Sequence, residues 1–243
     1  RRQRQMCIRD RVGCISVMGG ALDVPGNTSP TGEFNFFADP WAAKVLLEDA
    51  TLDGRRLPIH LLPLDTTTKH TVPYSHIMMD ESSELYKKNY LFRLITHFLR
   101  KPRSVTNSFA PPNVPFDPAK YDLFEAHDPL AVAHAIFYTD TELWGDTERP
   151  FLVETDGRHT RGFCVVDRRQ QGEEYDGRNK AEVEAERGPK NEYGLSSSST
   201  TPAKRKADDK PVTPPVPSTR VVTKTPGSAW FEDLMLGRLG MQT

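Results

Sequence analysis

The sequence has few cysteines and no recognisable cysteine motif. Its 243 residues include Cys7, Cys14 and Cys164. An odd number at these spacings matches neither a disulfide framework nor a zinc or redox motif. We therefore expect a reducing compartment, the cytoplasm. The basic triplet Lys204-Arg205-Lys206 resembles a nuclear-import signal, so a nuclear location is the alternative.

Long apolar runs and a surplus of either charge are also absent. No stretch approaches the roughly 20 apolar residues that span a bilayer, so no membrane partner is expected. Lysine and arginine total 32 against 33 acidic residues, for a net charge of −1. That balance excludes a strongly basic nucleic-acid binder, and no nucleic-acid partner is expected. The sequence contains no P-loop, no GxSxG elbow and no complete GxGxxG.

The composition predicts that part of the chain is unfolded. Hydrophobic residues make up 37%, mean hydropathy is −0.58 and there are 20 prolines. Residues 168–219 are dense in both charges and then rich in serine and proline, which predicts a disordered insert. The expected organisation is an arginine-rich start at 1–13, a domain at 14–167, this insert, and a strand and helix at 220–243 that dock back on the domain. The chain opens without methionine, and we expect it to be the C-terminal part of something longer.

Strands and helices alternate along the domain. A short β-branched run at 14–18 ends at two glycines, and a second apolar strand follows at 59–64. The predicted helices begin at Asp39-Pro40, span 81–101 until Pro102 ends the helix, and begin again at Asp128-Pro129. A late strand pair is predicted at 151–154 and 162–167. This alternation is typical of an α/β protein with a mostly parallel sheet and helices on both faces.

A polar loop follows the first strand and precedes a helix. In open α/β sheets, ligands bind in the crevice at that position. Gly19 and Gly20 would let a ligand approach the backbone closely. Asn27, Glu33 and Asn35 offer the mixture of donors and acceptors that a polyhydroxyl ligand such as a sugar requires. The alternative is a polar surface loop whose side chains only stabilise turns.

A second candidate is the His127-Asp128-Pro129 motif. Histidine suits general acid catalysis near neutral pH. Aspartate is a hard oxygen ligand suited to Ca²⁺ or Mg²⁺. The alternative is that Asp128 caps a helix and His127 is an ordinary loop residue.

Together, these two motifs resemble the inosine/uridine-preferring nucleoside hydrolase family. The similarity covers roughly residues 14–167 and 220–240. The segments that carry it are residues 17–21, 26–27, 33–35 with 39–43, and 127–132, with weaker similarity at 63–65 and 161–167.

The resemblance implies an open Rossmann-like α/β sheet. The implied reaction is hydrolysis of the N-glycosidic bond of a ribonucleoside substrate, of the uridine or inosine type, to ribose and free base. A tightly bound Ca²⁺ would hold the ribose hydroxyls and a water, with Asp128 as a ligand, and His127 would help the base to leave. The residues that would contact the ribose are Met18 through its carbonyl, Asn27, Glu33, Phe34 and Asn35.

One family motif is missing from these 243 residues. The family's aspartate-rich DxDxGxDD motif, which supplies most of the calcium site and the general base, has no match here. We therefore expect a sheet that is incomplete at its N-terminus, an incomplete calcium site and little or no activity for this chain alone. The alternative function is a non-catalytic half-domain that binds a nucleoside or, through the insert, a protein. Base preference and homo-oligomer formation stay open.

Overall fold

Five strands form the central sheet of the computed structural model, which describes residues 13–48, 51–52, 55–56, 58–166 and 218–240. In chain order, the strands are β1 (Ile15–Met18), β2 (Thr51–Leu52), β3 (Arg55–Arg56), β4 (Ile59–Leu62), β5 (Thr71–Pro73), β6 (Leu123–Glu125), β7 (Gly145–Val153), β8 (Cys164–Val166) and β9 (Ser218–Lys224). The central sheet has the order β1-β4-β9-β7-β8. Strands β1, β4 and β9 are parallel, whereas β7 and β8 are antiparallel to their neighbours. The predicted α/β class is confirmed, and the late strand pair forms the antiparallel side.

Helices cover both faces of this sheet. They are α1 (Phe34–Ala38), α2 (Pro40–Leu47), α3 (Leu64–Thr67), α4 (Tyr74–Ile77), α5 (Glu84–Lys88), α6 (Tyr90–Ser108), α7 (Pro118–Tyr121), α8 (His127–Phe137) and α9 (Ser228–Leu239). In the described part of the chain, none of them has the length and apolarity needed to cross a membrane.

Two hydrophobic clusters lie on opposite faces of β4 and β9. Leu62 and Val222 belong to the cluster that α8 and α9 cover, and Leu61 and Val221 belong to the cluster that α1 and α2 cover. Because side chains alternate along a strand, neighbouring apolar residues serve the two faces. All four residues of β4 are buried, as expected for a central parallel strand.

The predicted end of the long helix at Pro102 is wrong. The break falls earlier, at Asn89, whose side chain accepts a hydrogen bond from the backbone of Leu91 and caps α6. Helix α6 then continues through Pro102 to Ser108. Beyond the proline, Arg103 donates two hydrogen bonds, of 2.7 and 2.6 Å, to the Asp122 carboxylate, so tertiary contacts hold the last turns in place.

The two Asp-Pro motifs begin their helices differently. Asp39 caps α2 as predicted, because its Oδ1 accepts a hydrogen bond of 2.9 Å from the backbone of Ala42. The predicted cap at Asp128 is wrong: α8 begins at His127 with Ala126 as N-cap, and no side chain caps it. Asp128 lies in the first turn, where a negative charge interacts favourably with the helix dipole. The chain enters α8 directly from β6, which pairs with β5 and so fixes the start of the helix.

The described part of the terminal segment forms a strand and a helix, and the strand begins two residues before the predicted start at 220. Strand β9 inserts between β4 and β7, and Phe231 of α9 is buried in the core. The predicted insert, apart from its last two residues, and all but the last residue of the arginine-rich start lie outside the described residues.

Candidate active site

The start of α8 lies at the carboxyl end of β1. The Oγ of Ser16 is 2.6 Å from Nδ1 of His134, and Gly13 lies against the hydroxyl of Tyr138. The helix therefore runs antiparallel to β1, and its first residue, His127, lies toward the carboxyl edge of the sheet. In open α/β sheets this edge is where ligands bind.

The two glycines after β1 are required by packing. A Cβ on Gly19 would lie 2.5 Å from the Phe36 ring, and one on Gly20 would lie 3.0 Å from Sγ of Cys164. Gly20 also has a φ of +79°, in the left-handed region that favours glycine. The expectation that these glycines give a ligand access to the backbone is therefore corrected, since protein side chains occupy that space.

Glu33 is the buried anchor of the polar loop. Its side chain is 1% exposed and accepts hydrogen bonds from the backbone N–H groups of Gly20 (2.8 Å), Asn35 (2.9 Å) and Phe36 (3.3 Å). These charge-assisted bonds compensate the loss of hydration of the carboxylate. Glu33 thus caps α1 and fixes the glycine turn against it.

The remaining predicted ribose contacts lie beside this anchor. Nδ2 of Asn35 donates to the carbonyl of Met18 at 3.2 Å, which places Asn35 over the end of β1. Oδ1 of Asn27 accepts from the backbone of Phe34 at 2.9 Å. The ring of Phe34 is 60% exposed. The structure therefore brings the five residues together, with Asn27, Phe34 and Asn35 on the open side.

His127 is held from both sides of its ring. Nδ1 lies 2.8 Å from the hydroxyl of Thr67, at the end of the helix that follows β4. Nε2 lies 3.1 Å from a carboxylate oxygen of Glu125. Sequence reasoning did not assign Thr67 or Glu125. A run of three threonines after the second strand was a signal for Thr67, and its position two residues before His127 was a signal for Glu125.

Asp128 is exposed in the first turn of α8. Within the described residues, no three histidine, cysteine, aspartate or glutamate side chains come together as a metal-binding group. The carboxylate of Asp65 instead holds the loop, accepting from the backbone of Leu22 and Asp23 at 2.9 and 2.8 Å. Calcium takes six to eight oxygen ligands. The donors in this part of the chain therefore do not fit a resident Ca²⁺.

The edge as a whole offers amide groups, an imidazole, carboxylates and an exposed aromatic ring. Amide side chains both donate to and accept from hydroxyl groups, which suits a sugar. An imidazole held in one orientation can transfer a proton to a leaving group. A nearby carboxylate can stabilise positive charge on a sugar ring.

Comparison with known proteins bears on these possibilities. Residues 3–192 match the family model described as inosine-uridine preferring nucleoside hydrolase. This span extends beyond the predicted 14–167 domain at both ends, and the boundaries of that domain stay a prediction.

Curated relatives and solved structures agree with that match. The chain is 27% identical over 166 residues to the pyrimidine-specific ribonucleoside hydrolase RihA of Escherichia coli K12, covering 66% of this chain and 44% of RihA. It thus spans less than half the length of that relative. A plant nucleoside hydrolase, PpNRh1, superposes with a TM-score of 0.59 at 16% identity, covering 98% of this chain and 56% of that one. A purine-preferring ribonucleoside hydrolase from Gardnerella vaginalis gives a TM-score of 0.50 at 24% identity, with coverage of 70% and 48%. At these identities the solved structures show the fold.

Proposed function

The chain belongs to the inosine-uridine preferring nucleoside hydrolase family, and we propose that it supplies the sugar- and base-binding side of a ribonucleoside hydrolase site. The observation that supports this is the meeting of two distant motifs at one sheet edge. Asn35 reaches it through its bond to Met18, and His127 through its bond to Thr67.

The two asparagines have the chemistry to bind the ribose. Nδ2 of Asn35 donates to the carbonyl and the sulfur of Met18, and Oδ1 of Asn27 accepts from the backbone of Phe34 and the hydroxyl of Thr28. That leaves the carbonyl oxygen of Asn35 and the amide group of Asn27 for hydroxyl groups. The exposed ring of Phe34 would pack beside the sugar, and the carbonyl of Met18 would face it.

His127 would assist departure of the base. When the C1′–N bond breaks, its electron pair goes to the base, which takes a proton from His127. Water adds to C1′, and the proton that it loses replaces the one that His127 gave. Thr67 would keep hold of Nδ1, and Nε2 would leave the exposed Glu125 carboxylate to reach the base. The breaking bond leaves positive charge on the ribose, and the buried carboxylate of Glu33 would stabilise it electrostatically.

Activation of the water is the step this chain does not explain. The family resemblance makes Asp128 a calcium ligand, but the donors around it in the described part of the chain do not fit that ion. One carboxylate does not make a calcium site, and the sequence has no DxDxGxDD motif. We therefore expect ribonucleoside binding with little or no hydrolysis by this chain alone, so a non-catalytic nucleoside-binding module is the second candidate. The cysteine content keeps the cytoplasm as the proposed compartment.

The test measures binding and turnover separately. Binding of uridine and inosine to the purified chain is followed by calorimetry, and ribose release is followed by a reducing-sugar assay with and without Ca²⁺. We expect Asn35→Ala and His127→Ala to weaken binding, whereas Asn113→Ala and His97→Ala, at exposed positions, do not. Binding without ribose release supports the binding module, and release supports the enzyme. Failure of both nucleosides to bind refutes the site.

A further inference from the structure

The loop between β7 and β8, residues 154–163, lies against the polar loop of the candidate site. The hydroxyl of Thr31 donates to the backbone carbonyl of His159 at 3.1 Å. A Cβ on Gly162 would lie 2.6 Å from the backbone nitrogen of Phe37. Two segments that are distant in the sequence are therefore in close backbone contact.

Arg161 in this loop holds the end of α1. Its Nε donates to the carbonyl of Phe37 at 2.8 Å, and its Nη2 donates to the carbonyl of Ala38 at 3.2 Å. Its Nη1 donates to the carbonyl of Thr155, within its own loop, at 3.5 Å. The last carbonyls of a helix have no partner inside the helix, and a basic side chain beside them satisfies them and interacts favourably with the helix dipole. Arg161 thus closes the C-terminal end of α1 and joins it to the β7–β8 loop.

Helix α1 is too short to stay folded by itself. It has five residues, whereas isolated helices below about 12 residues are marginal in water. Glu33 satisfies N–H groups at its start, and Arg161 satisfies carbonyls at its end. The helix therefore depends on one charged side chain at each end.

Two of the predicted ribose contacts belong to this helix. Phe34 and Asn35 are its first two residues, and both are exposed. A side chain that is already fixed binds a ligand more tightly than a mobile one, which loses conformational entropy on binding. When only a fraction of the molecules has the helix formed, the observed dissociation constant rises in inverse proportion to that fraction. The order of α1 thus controls how well these two side chains can bind.

We propose that Arg161 is a positioning residue for nucleoside binding, which holds α1 so that Phe34 and Asn35 face the sugar. The proposal rests on the proposed function, because it needs those two residues to contact the ribose. The bonds from Arg161 to α1 go to backbone carbonyls, so the arginine acts on the ligand through the helix. The sugar-binding side then depends on the β7–β8 loop as well as on the polar loop itself.

Calorimetry with uridine and the full chain measures the effect on binding. Arg161→Gln removes the charge and shortens the side chain, and we expect it to weaken uridine binding about tenfold. Arg161→Lys keeps the charge but lacks the planar fork that reaches two carbonyls, so it should weaken binding only about threefold. Arg158→Gln, at an exposed arginine of the same loop, is the matched control and should have no effect.

A double-mutant cycle tests whether Arg161 acts through the helix. If it positions Asn35, Arg161→Gln should weaken binding only about twofold when Asn35→Ala is already present. An arginine that contributes to binding independently of α1 would give additive effects, which would overturn the proposal.

Amide hydrogen exchange of the free protein gives a readout that needs no ligand. The amide of Phe37 bonds to the carbonyl of Glu33 at 2.8 Å inside α1, whereas Leu61 lies in the buried central strand β4. We expect Arg161→Gln to speed exchange at Phe37 at least about tenfold and to leave exchange at Leu61 unchanged, as for local opening. Equal acceleration at both amides would mean a loss of global stability and would overturn the positioning role.

The binding results separate this proposal from the proposed function. If the wild-type chain does not bind uridine, the proposed function is refuted and the role of Arg161 in binding is refuted with it. If the wild type binds uridine and Arg161→Gln binds it equally tightly, only the positioning role is overturned. Circular dichroism confirms that each variant is folded, and Arg161→Lys carries the test if the glutamine variant does not fold.

Discussion

Replacing Glu33 by alanine should destabilise the domain strongly. Its carboxylate is buried and accepts three backbone hydrogen bonds, from Gly20, Asn35 and Phe36. Loss of an N-cap side chain costs about 1 kcal/mol. A buried N–H left without a partner, as at Gly20, costs about 1–3 kcal/mol more. The free energy of unfolding should therefore fall by about 3 kcal/mol, out of the 5–15 kcal/mol that is typical of a native domain.

Urea denaturation followed by circular dichroism measures this change. Glu33→Gln keeps one acceptor oxygen and should lose less, about 1–2 kcal/mol. Glu142→Ala, at an exposed position, is the control and should change the free energy by less than about 0.5 kcal/mol. If Glu33→Ala costs no more than this control, the carboxylate does not hold the loop, and the account of the site's architecture is refuted.

Three further predictions concern charge and metal. Burial lowers the pKa of His134 to about 4, with a smaller contribution from the nearby His60. The folded state therefore favours the neutral imidazole. The stability that this neutral form contributes is lost as the pH falls from about 6.5 toward 4. Urea denaturation across this range should show a loss of about 3 kcal/mol that is reduced in His134→Gln and retained in His97→Gln; an equal loss in both variants would contradict it. Arg103→Ala should lower the free energy of unfolding by about 2 kcal/mol at pH 7, because it leaves the buried Asp122 carboxylate unpaired, and no change in urea stability would refute this. Millimolar Ca²⁺ should leave the melting temperature unchanged in a thermal scan with Mg²⁺ as control, since a retained site would raise it by mass action.

Local signals in the sequence predicted much of the fold. The β-branched run before Gly19-Gly20 and the Asp39-Pro40 cap depend only on neighbouring residues, and both are confirmed. The predicted helix end at Pro102 was wrong because the helix propensity of a single residue is weak compared with tertiary contacts. The Arg103–Asp122 pair that supports the last turns joins two separate elements, and no local pattern shows it.

The sequence indicated which segments carry the candidate residues, but not the contacts that those residues make. The family resemblance implies that Glu33 contacts the ribose, and the structure adds that its oxygens bind backbone N–H groups of the loop and of α1. Its contact with ribose stays a prediction. Thr67 contacts His127 only because α3 packs against α8, and residue spacing does not encode that topology. Glu125, by contrast, precedes His127 by only two residues.

The central claim is that the carboxyl edge of the sheet is a ribonucleoside site. The most direct test is a ¹⁵N NMR titration of the full chain with uridine, with 2′-deoxyuridine as the comparison. We predict that the backbone signals of Gly19, Asn35 and His127 shift with uridine and shift less with the deoxynucleoside, because one hydroxyl contact is lost. Absence of shifts at millimolar uridine, or shifts confined to other parts of the chain, would contradict the claim.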